Sequence, residues 1–130
     1  MRARDVIDVE IDNRSGEEVD EVGAEALART VLAAEEIVAG ELGIAFVRPE
    51  ESRRLKAVHL GVDEATDVLS FPIDGRARLP VGEPRALGDL VLCPQIVGDE
   101  WRGPLVHGLL HLLGYEHGAE METRERALLA

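Results

Sequence analysis

Cysteine, lysine and aromatic residues are scarce in this chain of 130 residues. Its single cysteine, Cys93, excludes an internal disulfide and a zinc finger built from several thiolates. No apolar run approaches the ~20 residues that a membrane-spanning helix needs, and residues 1–10 lack the apolar block of a signal peptide. We therefore expect a cytoplasmic protein in a reducing compartment, with no membrane partner.

Basic residues are outnumbered by acidic ones, 14 to 26, and the formal net charge is −12. Proteins that bind nucleic acids through phosphate groups generally carry a basic face. Any phosphate contact here must come from a few side chains, almost all of them arginine; Arg53, Arg54 and Lys56 form the densest basic group. The length suits one domain over residues 1–130, because no linker, repeat or low-complexity tract divides the chain.

Histidine is also rare, but three of the four histidines lie in one apolar segment with the spacing HxxxHxxGxxH: His107, His111 and His117. On a helix, His107 and His111 lie on the same face one turn apart. Gly114 stands where helices commonly end in a left-handed residue, so a turn there can return His117 to the other two. Three imidazoles that leave a fourth position for water are typical of catalytic zinc. We predict that they bind one ion, zinc first and nickel or another divalent metal as the alternative.

One residue departs from the related zinc protease motif, HExxHxxGxxH. In those enzymes the glutamate after the first histidine takes a proton from the water at the metal, and here the position is Gly108. A peptidase of the usual kind is therefore not expected. Glu116 is the nearest carboxylate in sequence, and orienting a histidine ligand is the favoured role for it. Tyr115 could donate to a phosphate oxygen, although packing beside Gly114 is the preferred interpretation.

This version of the motif, HGLLHLLGYEH at residues 107–117, closely resembles the HGxLHLxGYDH signature of the YbeY-type endoribonucleases, the bacterial rRNA maturation factors. Two upstream blocks, TDVLSFP at residues 66–72 and LGDLVLC at residues 87–93, resemble the same family in the same order. The resemblance implies a zinc-dependent endoribonuclease that cleaves single-stranded RNA in 16S rRNA 3′-end maturation and ribosome quality control. Ribosomal RNA, the small ribosomal subunit and a ribosome-associated protein are the partners it implies.

A second departure concerns the substrate. The family usually carries an arginine shortly before its TDVLSF block, and the matching position here is Leu60. A guanidinium there would stabilise the charge that develops on the phosphate in the transition state. Arg53 and Arg54 are the candidates to replace it, and together with Ser70 they are the predicted substrate-binding residues.

Two rival functions remain open. A non-catalytic, ribosome-associated module in which zinc braces the fold is favoured by Leu60 and the charge of −12. A zinc hydrolase acting on another substrate is the third hypothesis, and the missing glutamate makes it the least favoured.

The hydrophobic periodicity predicts the order β-α-β-α-β-β-α-α. Strands are expected at residues 6–12, 44–47, 67–71 and 87–93. Helices are expected at residues 21–40, with Asp20 as the cap, at 50–58, around the histidine motif and at 120–129. A helix is also expected to start at 94–98, and residues 74–85 are expected to form a loop. Gly88 and Asp89 could take part in the chemistry of the site, but a turn into the fourth strand is the preferred interpretation. The order gives an α/β or α+β fold with a four-stranded mixed sheet and packed helices, in which residues 66–72 line a zincin-like metal cleft.

Overall fold

The fold is taken from a computed structural model that describes residues 6–130. The elements follow in chain order as β1 Ile7–Asn13, α1 Glu21–Ala34, β2 Gly40–Phe46, α2 Pro49–Leu60, β3 Val68–Pro72, β4 Ala86–Leu92, α3 Pro94–Val97, α4 Arg102–Leu112 and α5 Ala119–Leu129. The predicted α+β class is confirmed. None of these helices has the length and apolarity needed to cross a membrane.

The sheet has the strand order β1-β2-β4-β3. Strands β1, β2 and β4 are parallel, and β3 runs antiparallel to β4, so the predicted four-stranded mixed sheet is confirmed. Within residues 6–130, β1 and β3 form its two edges. The predicted turn at Gly88 and Asp89 is wrong, because both residues lie inside β4 and pair with Leu42 and Gly43 of β2.

Alternate residues of β4 pack into two hydrophobic clusters on opposite faces of the sheet. Leu90 and Leu92 belong to the main core, which lies between the sheet and helices α1 and α4. Val91 belongs to a smaller cluster on the other face, where Leu55 of α2 packs. This alternation is expected of a strand that is covered on both faces.

Helix α4, which carries the histidine pair, lies in the middle of this arrangement and contacts α1, α5, β3 and β4. Five of its leucine and valine side chains are buried: Leu105, Val106, Leu109, Leu110 and Leu112. Burial of one such side chain contributes about 1.5–3 kcal/mol. The helix is therefore held in place by apolar packing.

Helix α1 begins as predicted and ends earlier than predicted. Asp20 caps it by accepting a hydrogen bond from the Gly23 N–H at 2.8 Å. The prediction that the helix runs to Gly40 is wrong: it ends at Ala34. The chain reverses through Glu36, which has φ +62°, and Ile37 then donates to the carbonyl of Leu32 at 2.8 Å while its side chain packs on the core.

Cys93 follows β4 and is completely buried, as its place at the end of an apolar strand predicts. Burial also raises the pKa of its thiol, so the reactive thiolate is depleted. We expect a thiol reagent to label native protein roughly hundredfold or more slower than denatured protein, since labelling requires local opening. Fast labelling of the native protein, followed by absorbance, would contradict this.

Candidate metal centre

The turn after α4 returns the chain towards the helix through a Schellman motif. The Tyr115 N–H donates to the carbonyl of Leu110 at 3.0 Å, and the Gly114 N–H donates to that of His111 at 3.0 Å. Gly114 has φ +99°, a conformation that residues with a Cβ rarely adopt. Gly114 therefore ends the helix in a left-handed conformation, as predicted. The turn that follows places His117 beside the two histidines of the helix.

The three imidazoles converge on one point. The Nε2 atoms of His107 and His111 are 3.1 Å apart, and one ring nitrogen from each of the three residues lies within 4.8 Å of the other two. Two nitrogens bound at ~2.0–2.1 Å to one tetrahedral zinc ion are separated by about 3.4 Å. The donor set and its spacing therefore fit a divalent metal ion, and these three histidines could hold one.

Hydrogen bonds on the other ring nitrogens orient two of the imidazoles. His107 Nδ1 lies 2.5 Å from Glu125 Oε1, and His111 Nδ1 lies 2.9 Å from the carbonyl oxygen of Tyr115. A ring that donates from Nδ1 keeps the lone pair on Nε2, which is the arrangement found at histidine ligands of metals. Both Nε2 atoms are therefore available in the cluster.

Electrostatics favour the same form of the ring. Burial lowers the pKa of His111, and the neighbouring His107 and His117 lower it further, against the opposing effect of the Tyr115 carbonyl. His111 is consequently neutral near pH 7, which is the state that binds metal.

The carboxylate that meets a histidine is Glu125 of α5, whereas Glu116 is exposed. The favoured role for Glu116 is therefore wrong: within the described part of the chain Glu116 makes no hydrogen bond to a histidine, and the carboxylate that does belongs to Glu125, nine positions further along the chain. The contact depends on how α5 packs against α4, which spacing within the motif does not reveal. The Tyr115 hydroxyl donates to Glu35 Oε1 at 2.9 Å and does not belong to the lining of the histidine cleft.

Gly108 is buried against the sheet, and its environment explains why the glutamate is missing. A Cβ at this position would lie 2.8 Å from Leu90 Cδ2, 3.0 Å from Val68 Cγ2 and 3.1 Å from Ser70 Oγ. The Ser70 hydroxyl also donates to the Gly108 carbonyl at 3.0 Å. Position 108 thus faces β3 and β4, with no room for a carboxylate.

The histidines open onto a cleft of about 1250 Å³. Residues 66–70 form one wall, so the predicted strand does line the cleft, and it brings Ser70 there. Helices α2 and α5 provide further lining residues, which are Lys56, Leu60, Glu122, Glu125, Arg126 and Leu129.

A profile of the family described as Endoribonuclease YbeY matches residues 9–129. The chain belongs to the YbeY endoribonuclease family. Curated relatives of that name include the protein of Acidothermus cellulolyticus, 41% identical over 136 residues (90% of this chain and 83% of the relative). Those of Halorhodospira halophila and Acinetobacter baylyi are 41% and 44% identical, covering 70% and 69% of this chain and 70% and 68% of the relatives.

A solved structure supports the fold. The solution structure of a Thermotoga maritima protein aligns with a TM-score of 0.57 at 22% identity, covering 95% of this chain and 87% of that one. The family profile and the curated relatives confirm the YbeY resemblance carried by the three sequence blocks.

The cations of this YbeY-family cleft differ from the predicted pair. Arg53 and Arg54 do not belong to its lining, and Arg53 pairs with Asp63, Nε to Oδ1, at 2.6 Å. Lys56 and Arg126 are the basic residues that line it. Leu60, at the position where the YbeY family usually carries an arginine, lines the same cleft. A role for Arg53 or Arg54 in substrate binding stays a prediction.

Proposed function

We propose that this chain is a zinc-dependent endoribonuclease that cleaves single-stranded RNA in 16S rRNA 3′-end maturation and ribosome quality control in the cytoplasm. The observation that carries the proposal is the convergence of three imidazoles, two of them with an available Nε2 atom, in an open cleft of a YbeY-family chain. The names of the relatives supply the reaction class.

His107, His111 and His117 are the residues that would hold the ion, with nickel as the alternative to zinc. When bound there, such an ion would supply Lewis-acid activation of the scissile phosphate and would lower the pKa of a water molecule. Glu125 and the Tyr115 carbonyl keep two of the rings in the binding orientation.

Proton transfer needs a base from outside α4, because Gly108 has no side chain. Glu122 lines the cleft from α5 and is our candidate to accept the proton of the attacking water. Ser70 is engaged with the Gly108 carbonyl, so its oxygen lone pairs remain available to accept hydrogen bonds from a substrate ribose.

The partners we propose are rRNA of the small ribosomal subunit and a ribosome-associated protein. A net charge of −12 disfavours tight, independent binding to RNA, so help from a partner protein fits this chain. The same charge, together with an apolar Leu60 in the cleft, favours the second candidate function, a non-catalytic ribosome-associated module. A hydrolase for peptides is disfavoured by the packing around Gly108.

One assay separates the three functions. Single-stranded rRNA fragments and peptides are incubated with zinc-loaded protein, with chelator-treated protein and with the treated protein after zinc is restored. Cleavage of RNA alone, lost with the chelator and recovered with zinc, supports the proposal. Stoichiometric zinc without RNA cleavage supports the binding module, and cleavage of peptides supports the third hypothesis.

Leu60→Arg is expected to raise the rate of RNA cleavage without changing metal content. Leu60 lines the cleft and is 59% exposed, so a guanidinium fits there and can face the phosphate. A transition-state cation in a comparable setting contributes ~10³-fold or more, and we expect at least roughly tenfold here because the cleft is open to solvent. Initial rates of RNA cleavage at fixed ionic strength measure the effect.

The control adds the same charge elsewhere on α2. Val58 is 72% exposed and does not line the cleft, so Val58→Arg should leave the rate nearly unchanged. Arg53→Ala and Arg54→Ala should also have little effect. Loss of cleavage in either alanine variant, with no gain from Leu60→Arg, would show that this arginine has taken the role.

A further inference from the structure

Glu35 is a buried carboxylate that the metal centre described above does not use. Its side chain is only 4% exposed, and it accepts hydrogen bonds from the Tyr115 hydroxyl at 2.9 Å, from Arg76 Nη2 at 2.5 Å and from Arg124 Nε. One carboxylate thus joins the end of α1 to the loop after β3, the turn after α4, and α5.

The first connection leads to His111. The side chain of Tyr115 is held by Glu35, and the backbone carbonyl of the same residue accepts the hydrogen bond from His111 Nδ1 at 2.9 Å. The ring held by Glu35 and the carbonyl that fixes the His111 imidazole thus belong to the same residue.

The second connection leads to His107. Arg124 of α5 binds Glu35 and also donates to the carbonyl of Ala34 at 3.1 Å. The next residue, Glu125, lies 2.5 Å from His107 Nδ1. Helix α5 is thus fixed on one side by α1 and presents the acceptor for His107 on the other.

The charge on Glu35 suits this arrangement. Burial raises the pKa of Glu35, but the hydrogen bonds from Arg124 and Tyr115 and the charges of Arg124 and Arg76 outweigh burial, so the pKa is lowered. The carboxylate is therefore ionised at neutral pH. Charge-assisted hydrogen bonds are shorter and roughly twice as strong as neutral ones. The Glu35 carboxylate therefore holds Tyr115, Arg76 and Arg124 firmly in place.

We propose that Glu35 is a positioning residue of the metal centre: by holding Tyr115 and Arg124 it fixes the two acceptors that orient His111 and His107. This inference rests on the proposed function, because it takes the histidines as metal ligands. Removal of partners that orient metal-binding histidines commonly lowers metal affinity by 10–100-fold.

The test measures cobalt(II) and zinc affinity by chelator competition, and the visible spectrum of the cobalt protein, which reports ligand geometry. Glu35→Gln keeps the shape but removes the charge and leaves one acceptor oxygen for three donors, so both connections are weakened. We expect affinity to fall by about tenfold with a changed cobalt spectrum. Tyr115→Phe removes only the first connection and should give a smaller loss in a folded protein. It keeps the inference testable if Glu35→Gln does not fold.

The matched control is Val31→Ala, which changes a completely buried residue of α1 one turn before Glu35. It should lower the free energy of unfolding and leave affinity and spectrum unchanged. The double variant of Glu35 and Tyr115 should lose less binding free energy than the sum of the two single losses, because both changes act on the first connection.

Two negative outcomes are distinct. If wild-type protein binds cobalt through the histidines and both Glu35→Gln and Tyr115→Phe retain its affinity and spectrum, the inference about Glu35 is overturned and the proposed function stands. If wild-type protein binds no ion, with His111→Ala indistinguishable from it, both are overturned.

Discussion

His111→Ala is expected to remove the metal ion and RNA cleavage together while leaving a folded protein. His111 provides one of three nitrogens and lies 3.1 Å from the Nε2 of His107, so its loss leaves two imidazoles for the ion. Because α4 is held by apolar packing, the helix should persist. The metal content measured by elemental analysis should fall from one ion per chain to near zero. The rate of RNA cleavage should drop ~10³-fold or more, because a Lewis acid contributes several kcal/mol to stabilising the transition state.

The fourth histidine offers the matched control. His59 lies on α2, with its ring 5.0 Å from that of Phe71, and it does not belong to the cluster. His59→Ala should keep full metal content and nearly full activity. A His111→Ala protein that retained stoichiometric zinc would show that the ion, if bound, is held elsewhere.

Gly108→Glu restores the zinc protease motif in the sequence, and we expect it to destabilise the protein severely without conferring peptidase activity. The new Cβ would lie 2.8 Å from Leu90 Cδ2, and the carboxylate would be forced among Val68, Leu90 and Ser70. Overpacking costs about 1–3 kcal/mol, and a buried, unpaired carboxylate costs several more. The sum approaches the ~5–15 kcal/mol by which a domain of this kind is stable.

Two alanine variants separate packing from helix propensity. Gly108→Ala should lower stability by about 1 kcal/mol, since overpacking exceeds the ~1 kcal/mol gained in helix propensity. Gly103 lies in the same helix, and a Cβ there has no neighbour within 4 Å, so Gly103→Ala should be neutral or slightly stabilising. Denaturant unfolding measures all three variants. A Gly108→Glu protein as stable as wild type would refute the packing argument.

The features that could be predicted from sequence depend on neighbouring residues. Asp20 caps α1 through a contact three residues away, and Gly114 takes its left-handed conformation whatever lies across the fold. The position at which α1 ends could not be predicted from neighbouring residues. Glu35, at its last turn, is fixed by Arg76 and Arg124, which follow 41 and 89 positions later, and the helical periodicity beyond it gave no sign of those contacts.

The same distinction divides the candidate metal centre. The three histidines lie in eleven residues, so helical geometry and one turn bring them together. The partner of His107 is 18 positions away on another helix, and no motif marks it. Of the basic group Arg53, Arg54 and Lys56 named from the sequence, only Lys56 lines the cleft, and Arg126 was not predicted, because the packing of α2 and α5 decides which side chains face the cleft.

Strand β1 forms one edge of the sheet, and this has a consequence for association between copies. The backbone N–H and C=O groups along an exposed edge can template intermolecular strand pairing. Asp8, Glu10 and Asp12 alternate along β1 and are exposed, so two such edges would bring rows of carboxylates together. Like charges opposite one another destabilise strand pairing. The excess of acidic residues thus also disfavours pairing between the sheets of two copies.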